Sequence, residues 1–334
     1  MMPYHGGRMT AGSRLSFGLA LPQRGALFGA TTTAQLLDLS RRTDQNPLFD
    51  TLWVGDSLYA KPRPESLTLL GGLATITQRV RLGVGCMASF PVRDPLVFAY
   101  QWGTLDWLSG GRMLLAVCTG IVGGGASMRE GKPWGIVDKD RAKRMAENID
   151  ICRTLWSSAH TGFEGAYTSF EQFDVAPKPI QQPCPIWIAA NPSPMNRSVY
   201  DTALRRVAHK ADGWMTVELF PNMFRGAWQR LRELLAEEGK DPDSFPNIEY
   251  HNFNINEDKQ AGYEESQKFL DAYYGPVFNE GMVRNWTALG SPEECIDHIR
   301  ALRDSGAKAI TFRATSYDQD RQFQRLTDEV LPFV

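Results

Sequence analysis

Short, continuous runs of apolar residues recur along this chain, separated by longer stretches in which apolar positions follow a helical spacing. Continuous runs are typical of strands buried on both faces of a parallel sheet, whereas half-buried strands alternate. The eight runs predicted to be strands are residues 14–21, 51–56, 80–89, 112–120, 184–190, 213–219, 248–255 and 308–315. Eight strands that alternate with helices favour the α/β class and a (β/α)8 TIM barrel, because a doubly wound sheet usually has fewer strands.

The helices between these strands carry their own start and stop signals. Asp94-Pro95 supplies an N-cap and a proline at the first helical position, and the glycine pair at 110–111 ends that helix. Two long connections, residues 121–138 and 157–183, are predicted insertions. In a barrel the βα loops border the active site, so we expect insertions in the βα loops.

Composition narrows the class of protein. The chain has 334 residues, of which 43% are hydrophobic, which is enough for one large domain over 15–334 preceded by a flexible arm at 1–14. Its 36 basic and 38 acidic residues give a net charge of -2 without a block of like charge, so we expect no nucleic-acid or membrane partner. No 18-residue apolar run and no signal peptide is evident, which favours a soluble protein.

Cysteines and histidines argue against metal and disulfide chemistry. The five cysteines are widely spaced and include no CxxC, which indicates neither a zinc site nor a disulfide framework and favours a reducing, cytoplasmic location. The five histidines show no HxH or HExxH spacing. We therefore predict no metal.

Four stretches of the chain resemble the luciferase-like flavin-dependent monooxygenase superfamily. They are residues 49–120, which end in LSGGRMLLAVCTG, 141–156 (RAKRMAENIDICRTLW), 176–194 (APKPIQQPCPIWIAANPSP) and 209–214 (HKADGW). The resemblance extends from about residue 15 to 316. It implies a TIM barrel that binds reduced FMN, or in one branch the deazaflavin F420, at the carboxyl ends of the strands.

The same resemblance implies cofactor-binding residues. Gly85, Cys86 and Met87 match the place where the family has a non-prolyl cis peptide and a bulge against the flavin ring. The cofactor's phosphate is implied at the ends of two strands, where Thr119, Gly120, Asn191 and Ser193 lie. Several of these residues have a structural alternative to cofactor binding. Gly120 can simply turn the chain, the Asn-Pro-Ser sequence at 191–193 is typical of a helix N-cap, and a cysteine such as Cys86 is most often a small buried hydrophobic residue.

Strand two ends in Gly55-Asp56-Ser57, where much of the superfamily has a histidine after the acidic residue. Serine cannot replace histidine as a general base, because it titrates far outside the physiological range. Asp56 is then the nearest ionisable group. The alternative is a structural carboxylate that accepts hydrogen bonds from the loop at 61–65.

Two charged residues interrupt apolar strands. Glu218 and Arg313 lie near the ends of strands six and eight, and buried charges are rare unless paired. We favour the mouth of the barrel for both, with Glu218 among the cofactor-binding residues. Arg313 joins Asp56 and Ser57 as a candidate catalytic residue that could hold an anionic substrate or the flavin carbonyls. His251 and the tryptophans are predicted to pack; the latter are Trp53, Trp102, Trp107 and Trp187.

The function expected first is an FMNH2-dependent monooxygenase. It would take reduced FMN from a separate flavin reductase and oxidise a small organic substrate with O2 under the 121–138 segment acting as a lid. The alternative is F420-dependent hydride transfer without oxygen, and a non-catalytic flavin-binding barrel is a further one. A hydrolase using Asp56 and Glu218 fits the fold but not the resemblance. We expect a homodimer or higher homo-oligomer.

Overall fold

The computed structural model describes residues 14–120, 125–191, 197–217 and 220–334. Among them, helices and strands alternate as the apolar pattern predicts. The strands are β1 Ser16–Ala20, β2 Phe49–Val54, β3 Arg81–Met87, β4 Met113–Val117, β5 Thr161–Glu164, β6 Ser169–Phe173, β7 Ile186–Ala189, β8 Trp214–Val217, β9 Asn247–Ile255, β10 Thr287–Gly290 and β11 Ala309–Ala314. The helices are α1 Thr33–Gln45, α2 Ser66–Ile76, α3 Pro95–Ser109, α4 Gly125–Gly131, α5 Asp138–Ser157, α6 Arg197–Lys210, α7 Pro221–Glu237, α8 Lys259–Tyr274, α9 Glu280–Trp286, α10 Pro292–Asp304 and α11 Gln319–Arg325.

Eight parallel strands close into a barrel. Their order is β1-β2-β3-β4-β7-β8-β9-β11, and β11 pairs with β1 to complete the circle. Each of the eight predicted strands is present, with ends that differ by a few residues. The TIM-barrel prediction is therefore confirmed.

Local signals in the sequence set the helix ends. Asp94 accepts hydrogen bonds from two amides of the first turn of α3, and Gly110 ends that helix with a φ of 70°. A left-handed conformation of this kind favours glycine because a Cβ would clash with the backbone. These caps direct α3 back down the outside of the barrel after β3.

The barrel interior is filled by side chains from alternate strand positions. Trp53 and Trp187 lie in it with their ring centres 6.2 Å apart. Room for Trp53 comes chiefly from Gly83 on the neighbouring strand β3, where a Cβ would lie 2.2 Å from the Trp53 ring; a Cβ at Gly18 on β1 would collide first with Thr51 Oγ1, also at 2.2 Å. The partly buried side chains of Cys86, Ala189 and Tyr250 pack on this cluster.

One insertion, at residues 256–290, was not anticipated. It contains α8, α9 and the short strand β10, which pairs with the second half of β9 while β8 pairs with the first half. Aromatic residues of α8 and α9 cluster with residues that follow β1 and β11. Because those strands end at the mouth, this βα insertion covers one side of it.

The connection at 157–183 is an αβ connection, so it does not belong to the catalytic face. It forms an antiparallel hairpin of β5 and β6. The carboxylate of Glu147 on α5 accepts hydrogen bonds from the amides of Ala166, Tyr167 and Thr168. The hairpin therefore lies along the outside of α5.

The other predicted insertion, 121–138, includes helix α4 and leads into α5. Residues 121–124, part of the glycine-rich segment, lie outside the described residues. No helix among those described is long and apolar enough to cross a bilayer.

Candidate active site

The end of β3 has the backbone that the resemblance implies. The Gly85–Cys86 peptide bond is cis, and the ladder between β3 and β4 shifts register between Gly85 and Met87. Cys86 is partly exposed and packs above the barrel interior. Met87 differs, because its side chain is fully buried in the core between sheet and helices. The Met87 side chain is thus not available to a ligand in the mouth.

Two cysteines meet at this point. The Sγ atoms of Cys86 and Cys118 are 2.7 Å apart, although Cys118 follows the neighbouring strand and is only 9% exposed. The hydrogen bond with Cys86, together with burial, raises the pKa of the Cys118 thiol well above its usual range. Linear spacing gave no sign of this contact, because it depends on the register of β3 against β4.

Asp56 is a structural carboxylate in this structure. It accepts hydrogen bonds from Ser66 Oγ at 2.7 Å and the Ser89 amide at 2.8 Å, and Arg93 forms an ion pair with it at 3.2 Å. These partners differ from the loop at 61–65 that was predicted. With three donors bound to it, Asp56 joins the loops after β2 and β3 and is poorly placed to act as a base.

Ser57 belongs to a second buried network. Its hydroxyl donates to Glu130 Oε1 at 3.2 Å, and the Leu58 amide donates to the same oxygen at 2.7 Å. Glu130 pairs in turn with Arg141 at 3.3 Å, and their side chains are 2% and 0% exposed. Ser57 therefore fixes the loop after β2 to α4.

Arg141 extends this network to the end of β4. It donates to the carbonyl oxygens of Thr119 at 2.5 Å and Ala88 at 2.7 Å. Its Nη1 is buried without a hydrogen-bond partner among the described residues. Gly120 has a φ of 71°, and a Cβ there would lie 2.9 Å from Arg141 Nη2. Glycine is thus required both by the turn and by the close guanidinium.

Asn191 joins the ends of two strands. Its Oδ1 accepts hydrogen bonds from the Val217 amide at 3.0 Å and Thr216 Oγ1 at 3.3 Å. The predicted phosphate role of Asn191 stays a prediction. Ser193 and Glu218 lie outside the described residues, so the roles assigned to them also stay predictions.

Arg313 lies inside an aromatic cage on the opposite side of the mouth. Its Nη1 donates to Tyr274 Oη at 2.8 Å and its Nη2 to Asn252 Oδ1 at 2.9 Å. The guanidinium carbon is within 6 Å of five ring centres, those of Tyr250, Phe269, Tyr273, Tyr274 and Trp286. The expectation of an open mouth position needs correction, because Arg313 is 0% exposed and enclosed by the α8–α9 insertion.

Three further cations approach the same tyrosines. Lys61 Nζ lies 4.4 Å from the Tyr274 ring centre, and Arg63 lies 5.5 Å from that of Tyr273. Burial lowers the pKa of Arg24, and the nearby Arg63 charge lowers it further. Arg24 Nη1 and Arg313 Nε are buried and unpartnered among the described residues. None of the ion pairs among the described residues includes Arg24, Arg63 or Arg313. The ion pairs at the mouth of the barrel are formed by Arg93 and Arg141.

Tyr250 is a site residue that the sequence reasoning missed. It is half-buried on β9, on the inward side of the strand, and packs on the interior cluster. Burial raises the pKa of its hydroxyl well above the usual range, so the phenol stays protonated at neutral pH. Alternation along β9 places Tyr250 inward together with Asn252, which was the available signal.

His251 points outward from the same strand. It is fully buried, and its Nε2 lies 2.8 Å from Nε2 of His298 on α10. Burial lowers the pKa of His251 well below its usual range and that of His298 to about 4. The prediction that His251 packs in the barrel wall is confirmed.

Trp107, by contrast, is 58% exposed, so its predicted packing role is wrong.

The arrangement is that of a TIM-barrel enzyme with its polar groups gathered at the carboxyl ends of the strands. Within the described ranges, no group of three or more His, Cys, Asp or Glu side chains could hold a metal ion. A family model described as luciferase-like monooxygenase matches residues 15–281. The chain belongs to this family and is an oxidoreductase of its type.

Two kinds of relative match nearly the whole chain. An F420-dependent glucose-6-phosphate dehydrogenase from Nakamurella multipartita is 24% identical over 327 residues, covering 90% of this chain and 92% of the relative. A solved F420-dependent secondary alcohol dehydrogenase, in complex with an F420-acetone adduct, superposes with a TM-score of 0.80 at 16% identity, covering 95% and 98% of the two chains. The monooxygenase RslO1 from Streptomyces bottropensis gives a TM-score of 0.73 at 20% identity, covering 95% and 99%.

Proposed function

We propose that this protein is an F420-dependent oxidoreductase that transfers a hydride to or from a small, negatively charged substrate. The observation that carries the proposal is the full-length similarity to F420-dependent glucose-6-phosphate dehydrogenases. It favours the alternative among the sequence expectations over an FMN-dependent monooxygenase. When bound, F420 supplies hydride transfer that needs no oxygen.

The described residues fit such a coenzyme. Gly85 and Cys86 form a bulged floor next to the barrel interior, where the coenzyme ring is expected. Arg141 lies next to Gly120, where an anionic tail is expected; its Nη2 is paired with Glu130, and its Nη1, buried without a described partner, would be the donor available to that tail. The Thr119 side chain is partly buried at the same strand end. These residues would hold and orient the coenzyme.

The substrate's charge is inferred from the other side of the mouth. Arg24, Arg63 and Arg313 gather around Tyr273 without a described carboxylate partner. Burying an unpaired positive charge costs free energy, and an anion that pairs with it lowers this cost. A phosphate or carboxylate on the substrate would accept hydrogen bonds from the free nitrogens of Arg24 and Arg313.

Tyr250 is the proposed hydrogen-bond donor to the reacting oxygen. It lies between the Cys86 floor and the Arg313 cage, since it packs on the same interior cluster as Cys86 and its ring centre is 5.4 Å from the Arg313 guanidinium. A phenol that keeps its proton can donate to an alcohol or carbonyl oxygen. Ser57, held by Glu130, would fix the loop beside it.

The test is a pair of titrations followed by a turnover assay. The purified protein is titrated with F420 and, separately, with FMN, and then supplied with oxidised F420 and either glucose 6-phosphate or glucose. We expect F420 to bind at least about tenfold more tightly than FMN, a difference of about 1.4 kcal/mol. We also expect reduction of F420 only with the phosphorylated sugar or another anionic alcohol. Tighter binding of FMN, with oxygen consumption on aeration of its reduced form, would overturn the proposal.

We also propose that the chain forms a homodimer through the outer face of α3. Val97, Tyr100 and Trp107 are exposed on this helix, and a groove of about 340 Å³ lies between α2 and α3. Apolar side chains at helical spacing on a surface are typical of an interface. Light scattering should show a dimer that Trp107→Glu converts to a monomer; an unchanged mass would contradict this interface.

A further inference from the structure

We propose that Cys86 and Cys118 form a reversible disulfide when hydrogen peroxide reaches the mouth of the barrel. The two thiols belong to neighbouring strand ends, and their sulfur atoms are 2.7 Å apart. A disulfide bond is about 2.05 Å long, so the sulfur atoms need to approach by only about 0.6 Å more.

The local backbone makes this approach feasible. Cys86 lies between the paired residues Gly85 and Met87, in the register shift of β3, so it has no ladder partner on β4. The Cys118 amide donates to the Met87 carbonyl at 3.3 Å, which keeps the two strand ends adjacent. The pair is thus held side by side by the sheet while Cys86 retains the freedom of a bulge.

The two thiols differ in access, which sets the order of events. Cys86 is partly exposed toward the mouth, whereas Cys118 is almost completely buried beside it. The raised pKa of Cys118 makes it a poor first nucleophile. Peroxide therefore reacts first at Cys86, and Cys118 is the resolving thiol.

The chemistry balances with peroxide as the oxidant. The Cys86 thiolate attacks one peroxide oxygen, the O–O bond breaks, and a sulfenic acid and one water result after protonation. Cys118 sulfur then attacks Cys86 sulfur; the S–S bond forms, the S–O bond breaks, and the hydroxyl leaves as water with the proton of Cys118. The two thiols lose two electrons and two protons, and one peroxide becomes two waters.

The other three cysteines provide internal controls. Cys152, Cys184 and Cys295 are buried and free, and none of the hydrogen bonds among the described residues joins one of them to another cysteine. Burial raises the pKa of all three, that of Cys295 to about 12. They should stay reduced under conditions that oxidise the Cys86–Cys118 pair.

The experiment is disulfide mapping of the full-length protein. The folded protein is treated with a small excess of hydrogen peroxide, then unfolded with an alkylating agent and digested with trypsin. Cleavage at arginine places Cys86 in peptide 82–93, Cys118 in 113–129 and Cys152 in 145–153. We expect 82–93 and 113–129 to be joined, two hydrogens lighter than the sum of the free peptides, while 145–153 stays alkylated. Dithiothreitol added before alkylation should restore both free thiols.

Two variants separate the roles of the cysteines. Cys118→Ser should stop the reaction at a Cys86 sulfenic acid that dimedone traps, and Cys86→Ser should leave Cys118 reduced. Cys152→Ser should cross-link as the unmodified protein does. Equal alkylation of Cys86, Cys118 and Cys152 after peroxide would overturn the proposal, as would oxidation of Cys86 to sulfinic acid without a cross-link. Both outcomes are read from the unmodified protein, so they do not depend on how the variants fold or on the coenzyme.

Discussion

The two sides of the barrel mouth treat charge in opposite ways. On the side of β2, β3 and β4, Asp56 and Glu130 are each paired with an arginine and bound by further donors. On the side of β9 and β11, Arg313 is surrounded by aromatic rings, and none of the ion pairs among the described residues includes Arg24 or Arg313. The carboxylates of the first side are neutralised within the protein, whereas under the proposed function the cations of the second side would be neutralised by an anionic substrate.

The largest expected effect, on the free energy of unfolding, comes from removing the arginine of the buried Arg141–Glu130 ion pair. Arg141→Met would leave the Glu130 carboxylate buried without its cation and two carbonyl oxygens without donors. Removing one partner of a buried pair costs about 3–5 kcal/mol. Urea denaturation should show a loss of unfolding free energy of this size. The matched control is Arg144→Met on the same helix, and adding Glu130→Gln to Arg141→Met should recover part of the loss. A loss under about 1 kcal/mol would show that this network does not hold the loops.

The same substitution on the other side should affect binding more than folding. Arg313→Met removes a cation that has no described carboxylate partner, so it strands no buried negative charge. We expect it to lower the unfolding free energy by about 2 kcal/mol or less. It should raise KM for an anionic substrate by about 10- to 100-fold. Arg313→Lys, which keeps the charge, should lose less. If Arg313→Met unfolds the protein as readily as Arg141→Met, the contrast between the two sides fails.

Removal of the Tyr250 hydroxyl tests its proposed role as hydrogen-bond donor to the reacting oxygen, between the two sides of the mouth. Tyr250→Phe should lower kcat by about tenfold, or about 1.4 kcal/mol, with little change in KM, because the ring and its packing remain. Steady-state kinetics of F420 reduction provides the measurement. Tyr167→Phe on the distant hairpin is the control and should leave both constants unchanged. A change confined to KM would assign Tyr250 to substrate binding instead.

The smallest expected effect is a loss of stability at low pH that is due to Glu65, the second carboxylate paired with Arg93. Burial opposes ionisation of Glu65, but hydrogen bonds from the Thr68 amide and Arg93 outweigh it and lower its pKa. Below the usual pKa the unfolded chain binds a proton that the folded protein does not, so stability falls as the pH falls below about 4.5. Glu65→Gln should reduce this fall by under about 1 kcal/mol, because the side chain is partly exposed. An identical pH profile for both proteins would remove Glu65 from the network.

The sequence predicts the barrel well because burial of parallel strands leaves a local signature. The eight apolar runs correspond to the eight barrel strands, and the caps of α3 follow from Asp94 and Gly110. The hairpin and the α8–α9 insertion were missed because their strands are short and their apolar faces pack on other parts of the chain. Trp107 shows the same limit, since one helix pattern cannot distinguish a core face from a surface face.

Only the backbone features of the candidate site were predictable from the sequence; the side-chain contacts were not. The resemblance located the cis Gly85–Cys86 bond and the turn at Gly120, both of which the structure has. The partners of Asp56 and Ser57 were not predictable, because Arg93 and Glu130 are far from them in sequence. The cage around Arg313 was equally hidden, since its rings come from three separate elements and the local pattern around each of them is that of ordinary core residues.

The glycines around Trp53 restrict how the depth of the mouth can change over evolution or by engineering. A Cβ at Gly83 on β3 would lie 2.2 Å from the Trp53 ring, and a Cβ at Gly18 on β1 would lie 2.2 Å from Thr51 Oγ1 and 3.1 Å from Trp53 Nε1, so a larger residue is excluded at both positions while these side chains are present. A smaller residue at position 53 would deepen the cavity and permit a side chain at 83, whereas a side chain at 18 would also need a smaller residue at 51. Variants that accept bulkier substrates should therefore arise from coordinated changes on three strands, and libraries that vary these positions one at a time will miss them.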